Sequence, residues 1–226
     1  MPLFYQHNIN DDTKLGVWKI GENEDFFLIR VPLQRSISHP HKRLQHLAGR
    51  YLLQYLFPDF PYGLIQIADT RKPFLSNDAY HFSISHCGDY AAVVVSRSSR
   101  VGVDIELIKP SIEKIKQKFL REDEMQMLVN SGINLLLPPA VTPLTSNPEA
   151  RTPNSQLLTL SWSAKEAMFK WFGDGAVDFR QHMQINTISG DTGQGWITCT
   201  FSKLVVTNLS VEYLIFDGLV MAWVVT

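Results

Sequence analysis

VGVDIELIKP, residues 101–110, threads two carboxylates, Asp104 and Glu106, through a run of branched apolar residues. Such a run reads as a strand, and a strand sends residues i and i+2 to one face. Asp104 and Glu106 therefore share one side, while Val103, Ile105 and Leu107 take the other. A half-exposed edge strand with an acidic outer face is the plain account of a D-x-E. Two anions held side by side also call for a cation, and the rest of the chain decides between these readings.

Working outward, YHFSIS (80–85) and YAAVVVS (90–96) flank His86-Cys87-Gly88-Asp89, which reads as a hairpin with a glycine-containing turn. Before it, HPHKRLQHLAGRYLLQYLFP (39–58) carries apolar residues at helical spacing and stops at Pro58. Arg43, His46 and Arg50, spaced i, i+3, i+7, form a basic stripe on its other face. LGVWKI (15–20) and FFLIRV (26–31) read as short strands. Downstream, SIEKIKQKFLREDEMQMLV (111–129) is helical with a break near Arg121, and LSWSAKEAMFKWF (160–172) is a third helix. Between these two helices, residues 131–156 hold five prolines, which excludes a regular helix or a central strand and leaves an exposed loop. GDTGQG (190–195) is a turn, its glycines wrongly spaced for a dinucleotide site.

The helix with Leu47-Ala48 and the hairpin closed at Gly88 recur, in order, as the helix with Ser163-Ala164 and a hairpin closed at Gly218. The expected fold is α+β: a pseudo-two-fold pair of similar lobes, each a small antiparallel sheet packed on a helix, divided as 1–98 and 99–226.

With 45% hydrophobic and 19% charged residues among 226, the composition is that of a soluble globular protein. Lys plus Arg number 21 against 22 for Asp plus Glu, so no general field recruits nucleic acid or an anionic membrane. Cys87 and Cys199 form no C-x-x-C, which argues against a disulfide framework and fits a reducing cytoplasm. The N-terminal residues have no signal-peptide pattern. The most apolar run, LIFDGLVMAWVV (214–225), is interrupted by Asp217 and too short for a bilayer.

Glu166 and Lys170 lie one turn apart on the third helix. Ser163-x-x-Glu166 could be a capping box and Glu166 with Lys170 a surface ion pair, yet this helix is apolar on several sides, and a buried glutamate needs a partner. Asp104, Glu106 and Glu166 together would make an all-oxygen site suited to magnesium and a phosphate-bearing substrate. Lys72, Ser85 and His86 stand on or near turns, where such residues usually bind nothing; their order is the stronger signal.

R-K-P-x-x, then F-S-I-S-H, then G-V-D-I-E, then an acidic helix, then W-S-A-K-E-A-M-F-K resembles the phosphopantetheinyl transferases of the two-lobed type associated with peptide and polyketide synthetases. The resemblance runs from about Arg43 to Lys170. It implies transfer of the phosphopantetheine arm of coenzyme A to a serine of an apo carrier protein, with release of adenosine 3',5'-bisphosphate, by a monomer holding coenzyme A between its lobes. Asp104, Glu106 and Glu166 would hold Mg²⁺ against the pyrophosphate. Lys72, Ser85 and His86 would meet the phosphates of coenzyme A, and Arg43 or Arg50 the 3'-phosphate. Glu124 resembles the carboxylate that deprotonates the serine, with Glu122 and Asp123 as competitors; Lys170 would stabilise the leaving phosphate and Lys165 support it. The chain departs from the family in carrying Arg71 before Lys72-Pro73, where glycine is common, and Cys87 where serine is common. Two rivals are a magnesium-dependent phosphohydrolase built on the same acids and a coenzyme A- or carrier-binding protein without activity.

Overall fold

Seven consecutive buried residues, Tyr90–Ser96, form an interior strand of the first sheet, and the elements around it follow from what covers them. The computed structural model describes residues 3–33, 36–70, 72–130, 153–191 and 193–226. They fall into two compact units, Met1–Val103 and Asp104–Thr226. Arg71 and most of the proline-rich stretch, residues 131–152, lie outside the described residues.

In the first unit, β1 (Leu3–Asn10) and β2 (Thr13–Lys19) form an antiparallel hairpin. The sequence reading has no strand over β1, because that edge strand is mostly exposed and its polar QHNIN carries no apolar alternation. The expected strand at Phe26–Val31 is instead opened by a short helix, α1 (Glu24–Leu28). The Asn23 side chain accepts the Phe26 N–H at 3.1 Å, and Glu24 and Asp25 occupy the first turn. A cap and two acids at the positive end of the helix outweigh the β propensity of the aromatics.

α2 (Pro40–Leu56) opens with His39 accepting from the Lys42 N–H and with proline in its first turn, then buries Leu47, Ala48, Leu52, Leu53 and Leu56. A Cβ at Gly49 would fall 2.8 Å from Cγ2 of Ile84, so glycine lets α2 lie close on the sheet. β3 (Ile65–Ile67) and β4 (Pro73–Leu75) pair as a small ribbon. β5 (His81–Cys87) and β6 (Tyr90–Ser96) form the expected hairpin, turned at Gly88 with φ +53°, and complete the sheet in the order β1-β2-β6-β5. The core of this unit lies between α2 and the sheet.

The chain passes from one unit to the other within β7 (Val101–Leu107). A 3₁₀ turn, Pro110–Ile115, leads to α3 (Lys116–Phe119) and, after the expected break at Leu120-Arg121, to α4 (Glu122–Asn130). α5 (Pro153–Phe172) begins seven residues before Leu160, where the sequence reading starts it, so residues 153–156 are not loop but first turn. Proline is tolerated there because the first N–H groups of a helix have no intrahelical acceptor. β8 (Met183–Asp191), β9 (Gln194–Phe201), β10 (Thr207–Phe216) and β11 (Leu219–Val225) join β7 in the order β7-β11-β10-β9-β8. α5 packs across β11 and buries Leu160, Ala164, Ala167 and Met168. The fold is therefore α+β, and each unit sets an interior, buried hairpin strand, β6 or β11, against one long helix.

Candidate active site

β7 and α5 together assemble an acidic cluster in the second unit. Asp104 is 2% exposed, because β7, although it ends its sheet, is covered on both faces from Val101 to Ile105. The half-exposed edge strand is thus replaced by a buried carboxylate with half-buried Glu106 beside it in the alternation. From α5, Lys170 places Nζ 2.7 Å from Oδ1 of Asp104. Burial pushes the Glu166 carboxyl up to about 7; the negative charges of Asp104 and Glu106 add to the rise, and Lys170 opposes it. The Glu166–Lys170 surface pair of the plain reading gives way to a cross-element pair, Lys170 with Asp104.

Among the described residues, no three Asp, Glu, His or Cys side chains close into a ready-made metal site. Lys170 supplies a cation 2.7 Å from Asp104. The donor chemistry nevertheless fits magnesium: three carboxylates, no nitrogen or sulfur, and a repulsion between them that a hard divalent ion relieves. Beside Glu106 a cavity of about 270 Å³ opens between Lys109, Ile112, Ile115, Thr159 and Trp162. Its lining mixes apolar Leu107, Ile112, Ile115 and Trp162 with polar Glu106, Lys109, Ser111 and Thr159.

Glu124 and Lys165 form a buried ion pair of their own. Lys165 is fully buried. Its Nζ lies 2.8 Å from Oε1 and 2.9 Å from Oε2 of Glu124, and donates to the carbonyls of Phe119 at 2.7 Å, Met183 at 2.9 Å and Phe179 at 3.1 Å. Burial holds the ammonium below its ordinary range, with the Glu124 charge opposing. Glu124 also accepts from the N–H of Arg121 and of Ile185, each at 2.8 Å. Its neighbours Glu122 and Asp123 are exposed, and Asp123 is bound to Arg121 at 2.8 Å, which holds its carboxyl below the usual range.

The candidate phosphate contacts Arg43, Arg50, Lys72, Ser85 and His86 lie in the first unit. Ser85 is buried and His86 exposed near the end of β5. Their hairpin turn is tied to α2 by Gln45, whose Nε2 donates to the Gly88 carbonyl at 2.8 Å, and by His41 Nε2, 2.9 Å from Asp89 Oδ1. Lys72 is half-buried, its carbonyl accepting from Ala68 at 2.9 Å. Arg43 is bound to Glu24 at 2.6 Å, while Arg50 is 4% exposed, so the basic stripe is not one solvent face. Sequence reasoning missed Glu24 and Gln45. Glu24 had a legible signal in Asn23-Glu24-Asp25, a cap with acids; a lone glutamine on a helix has none.

A profile of the 4'-phosphopantetheinyl transferase superfamily matches residues 100–224. Enterobactin synthase component D of Salmonella austin is 33% identical over 134 residues, 59% of this chain and 49% of that protein. Its counterpart in Escherichia coli K12 is 29% identical over 148 residues, 63% of this chain and 62% of that one. The chain thus aligns with about half to three fifths of these relatives' length. A Salmonella typhimurium protein, 4'-phosphopantetheinyl transferase AcpT, is 31% identical over 169 residues, 72% of this chain and 73% of its own.

Proposed function

The chain belongs to the 4'-phosphopantetheinyl transferase superfamily, and from that premise we propose that it moves the phosphopantetheine arm of coenzyme A to a serine of an apo acyl or peptidyl carrier protein. Adenosine 3',5'-bisphosphate is the other product. The observation that carries this reading is the meeting of Lys170 with Asp104 at 2.7 Å, at motif positions that β7 and α5 bring together. The proposed site is a magnesium site of Asp104, Glu106 and Glu166. When bound, the ion would neutralise pyrophosphate charge, which otherwise repels an incoming oxygen.

The chain's own groups do the rest. Lys170 Nζ, held 2.7 Å from Asp104, donates to the departing phosphate oxygen and follows its growing charge. Glu166, half-buried rather than sealed as Glu124 is, is the carboxylate we assign to the serine proton. Arg43, Lys72, Ser85 and His86 are the proposed contacts to the coenzyme A phosphates; for Arg43 that contact displaces Glu24. A cytoplasmic monomer is the proposed working form. Among the described residues no helix is long and apolar enough to cross a membrane.

Incubation with coenzyme A, Mg²⁺ and a panel of apo carrier domains tests this by intact mass. One carrier gains a single phosphopantetheine arm, and Asp104→Ala abolishes the gain. Rapid hydrolysis of coenzyme A beside unmodified carriers would establish a phosphohydrolase instead.

A further inference from the structure

An ionised carboxylate has about four lone-pair positions, and in Glu124 four contacts fill them. Oε1 faces Lys165 Nζ at 2.8 Å and accepts from Ile185 N–H at 2.8 Å; Oε2 accepts from Lys165 at 2.9 Å and from Arg121 N–H at 2.8 Å. A general base must come within about 2.6–3.2 Å of the proton it removes, directly or through one water. A side chain 1% exposed with every acceptor position used meets neither condition. Lys165 likewise shares its three N–H groups among four acceptors, Glu124 and the carbonyls of Phe119, Phe179 and Met183. The pair joins α3, α4, α5, β8 and the segment between α5 and β8.

Lys165 precedes Glu166 by one residue, about 100° around the helix, and Lys170 stands one turn from Glu166 on the same face. The buried anchor and the reacting pair thus occupy different faces of one rod. We propose that Glu124 and Lys165 are positioning residues, which lock the rotation of α5 and so aim Glu166 and Lys170 at Asp104, and that Glu124 does not receive the serine proton. A helix turned by 10° moves a side-chain tip some 5–6 Å from its axis by roughly 1 Å, and a misplacement of that size costs on the order of 100-fold in rate. The inference rests on the transfer reading, for which wild-type modification of a carrier is the control; if that fails, the reading fails before the inference is reached.

A double-mutant cycle tests it. Glu124→Gln and Lys165→Met are measured singly and together for melting temperature, for kcat and the coenzyme A KM at a temperature where each is folded, and for the pH dependence of kcat. Each single variant leaves one buried charge uncompensated, and kcat is expected to fall about 10- to 100-fold with the coenzyme A KM little changed. The double variant buries neither charge of the pair, and its melting temperature sets the temperature at which it is assayed. Its kcat recovers to within about tenfold of wild type, with the wild-type acid limb retained in the pH profile. A double variant as inactive as Glu124→Gln, with that limb gone, would restore Glu124 as the base and overturn the proposal. Folded single variants with wild-type kcat would reduce the pair to bulk stability and overturn it as well.

Discussion

Lys170 Nζ and Asp104 Oδ1 meet at 2.7 Å across 66 residues of sequence, and Asp104 is the more buried of the two, 3% against 23% for the lysine side chain. Removing the lysine strands a carboxylate that water barely reaches. Lys170→Met is therefore expected to lower stability by on the order of 1–3 kcal/mol and transfer by about 100-fold. The variant Asp104→Asn/Lys170→Met regains stability without regaining activity. Urea denaturation alongside carrier mass analysis separates the two effects.

Glu166 gives a pH dependence of defined sign. Its carboxyl has an ordinary value of 4.5 and stands near 7 in the folded chain. Between these values the folded state holds more protons than the unfolded, so stability is full below about 4.5, declines as pH rises towards 7 and stays low above it. Glu166→Gln has no such proton to lose. In EDTA its stability should be flat across this window, exceeding wild type at pH 8 by on the order of 1–2 kcal/mol, a figure reduced for partial exposure.

Metal dependence follows from the same charges. An ion that relieves repulsion among Asp104, Glu106 and Glu166 binds their deprotonated forms, so Mg²⁺ should raise the melting temperature more at pH 8 than at pH 5.5. The rise should vanish in Asp104→Ala, and EDTA should stop carrier modification until Mg²⁺ is restored. A wild-type melting temperature indifferent to Mg²⁺ at both pH values would remove the magnesium site.

Gly195 tests the second sheet away from the site. A Cβ there would lie 2.1 Å from the Ser189 carbonyl oxygen across the β8–β9 pair, and a backbone neighbour cannot swing aside. Gly195→Ala should cost about 2–4 kcal/mol, read as a melting point lower by roughly 5–10 °C, with no specific change in the coenzyme A KM.

Much of this was legible because local chemistry and tertiary demand agreed. The alternation in 101–107 put Asp104 and Glu106 on one side of a strand, and Gly88 marked a turn that needed positive φ. Three features were not. Phe26–Val31 has the composition of a strand, and only the Asn23 cap decides for a helical turn. The length of α5 was hidden by Pro153, a helix breaker everywhere except where it stands. Glu122, Asp123 and Glu124 are three acids in succession, and their letters do not say which one the helix turns inward.

By itself the sequence determined the α+β class, the D-x-E strand, the K-E-x-x-x-K helix and the chemistry a phosphate-handling cluster would use, since periodicity and side-chain type are local properties. Only the tertiary structure decided that Lys170 pairs with Asp104 and Lys165 with Glu124. α5 is buried around most of its circumference, so its pattern has no single polar face from which to read direction. A buried charge takes whatever counter-charge the rest of the fold brings within reach, and that depends on residues dozens of positions away.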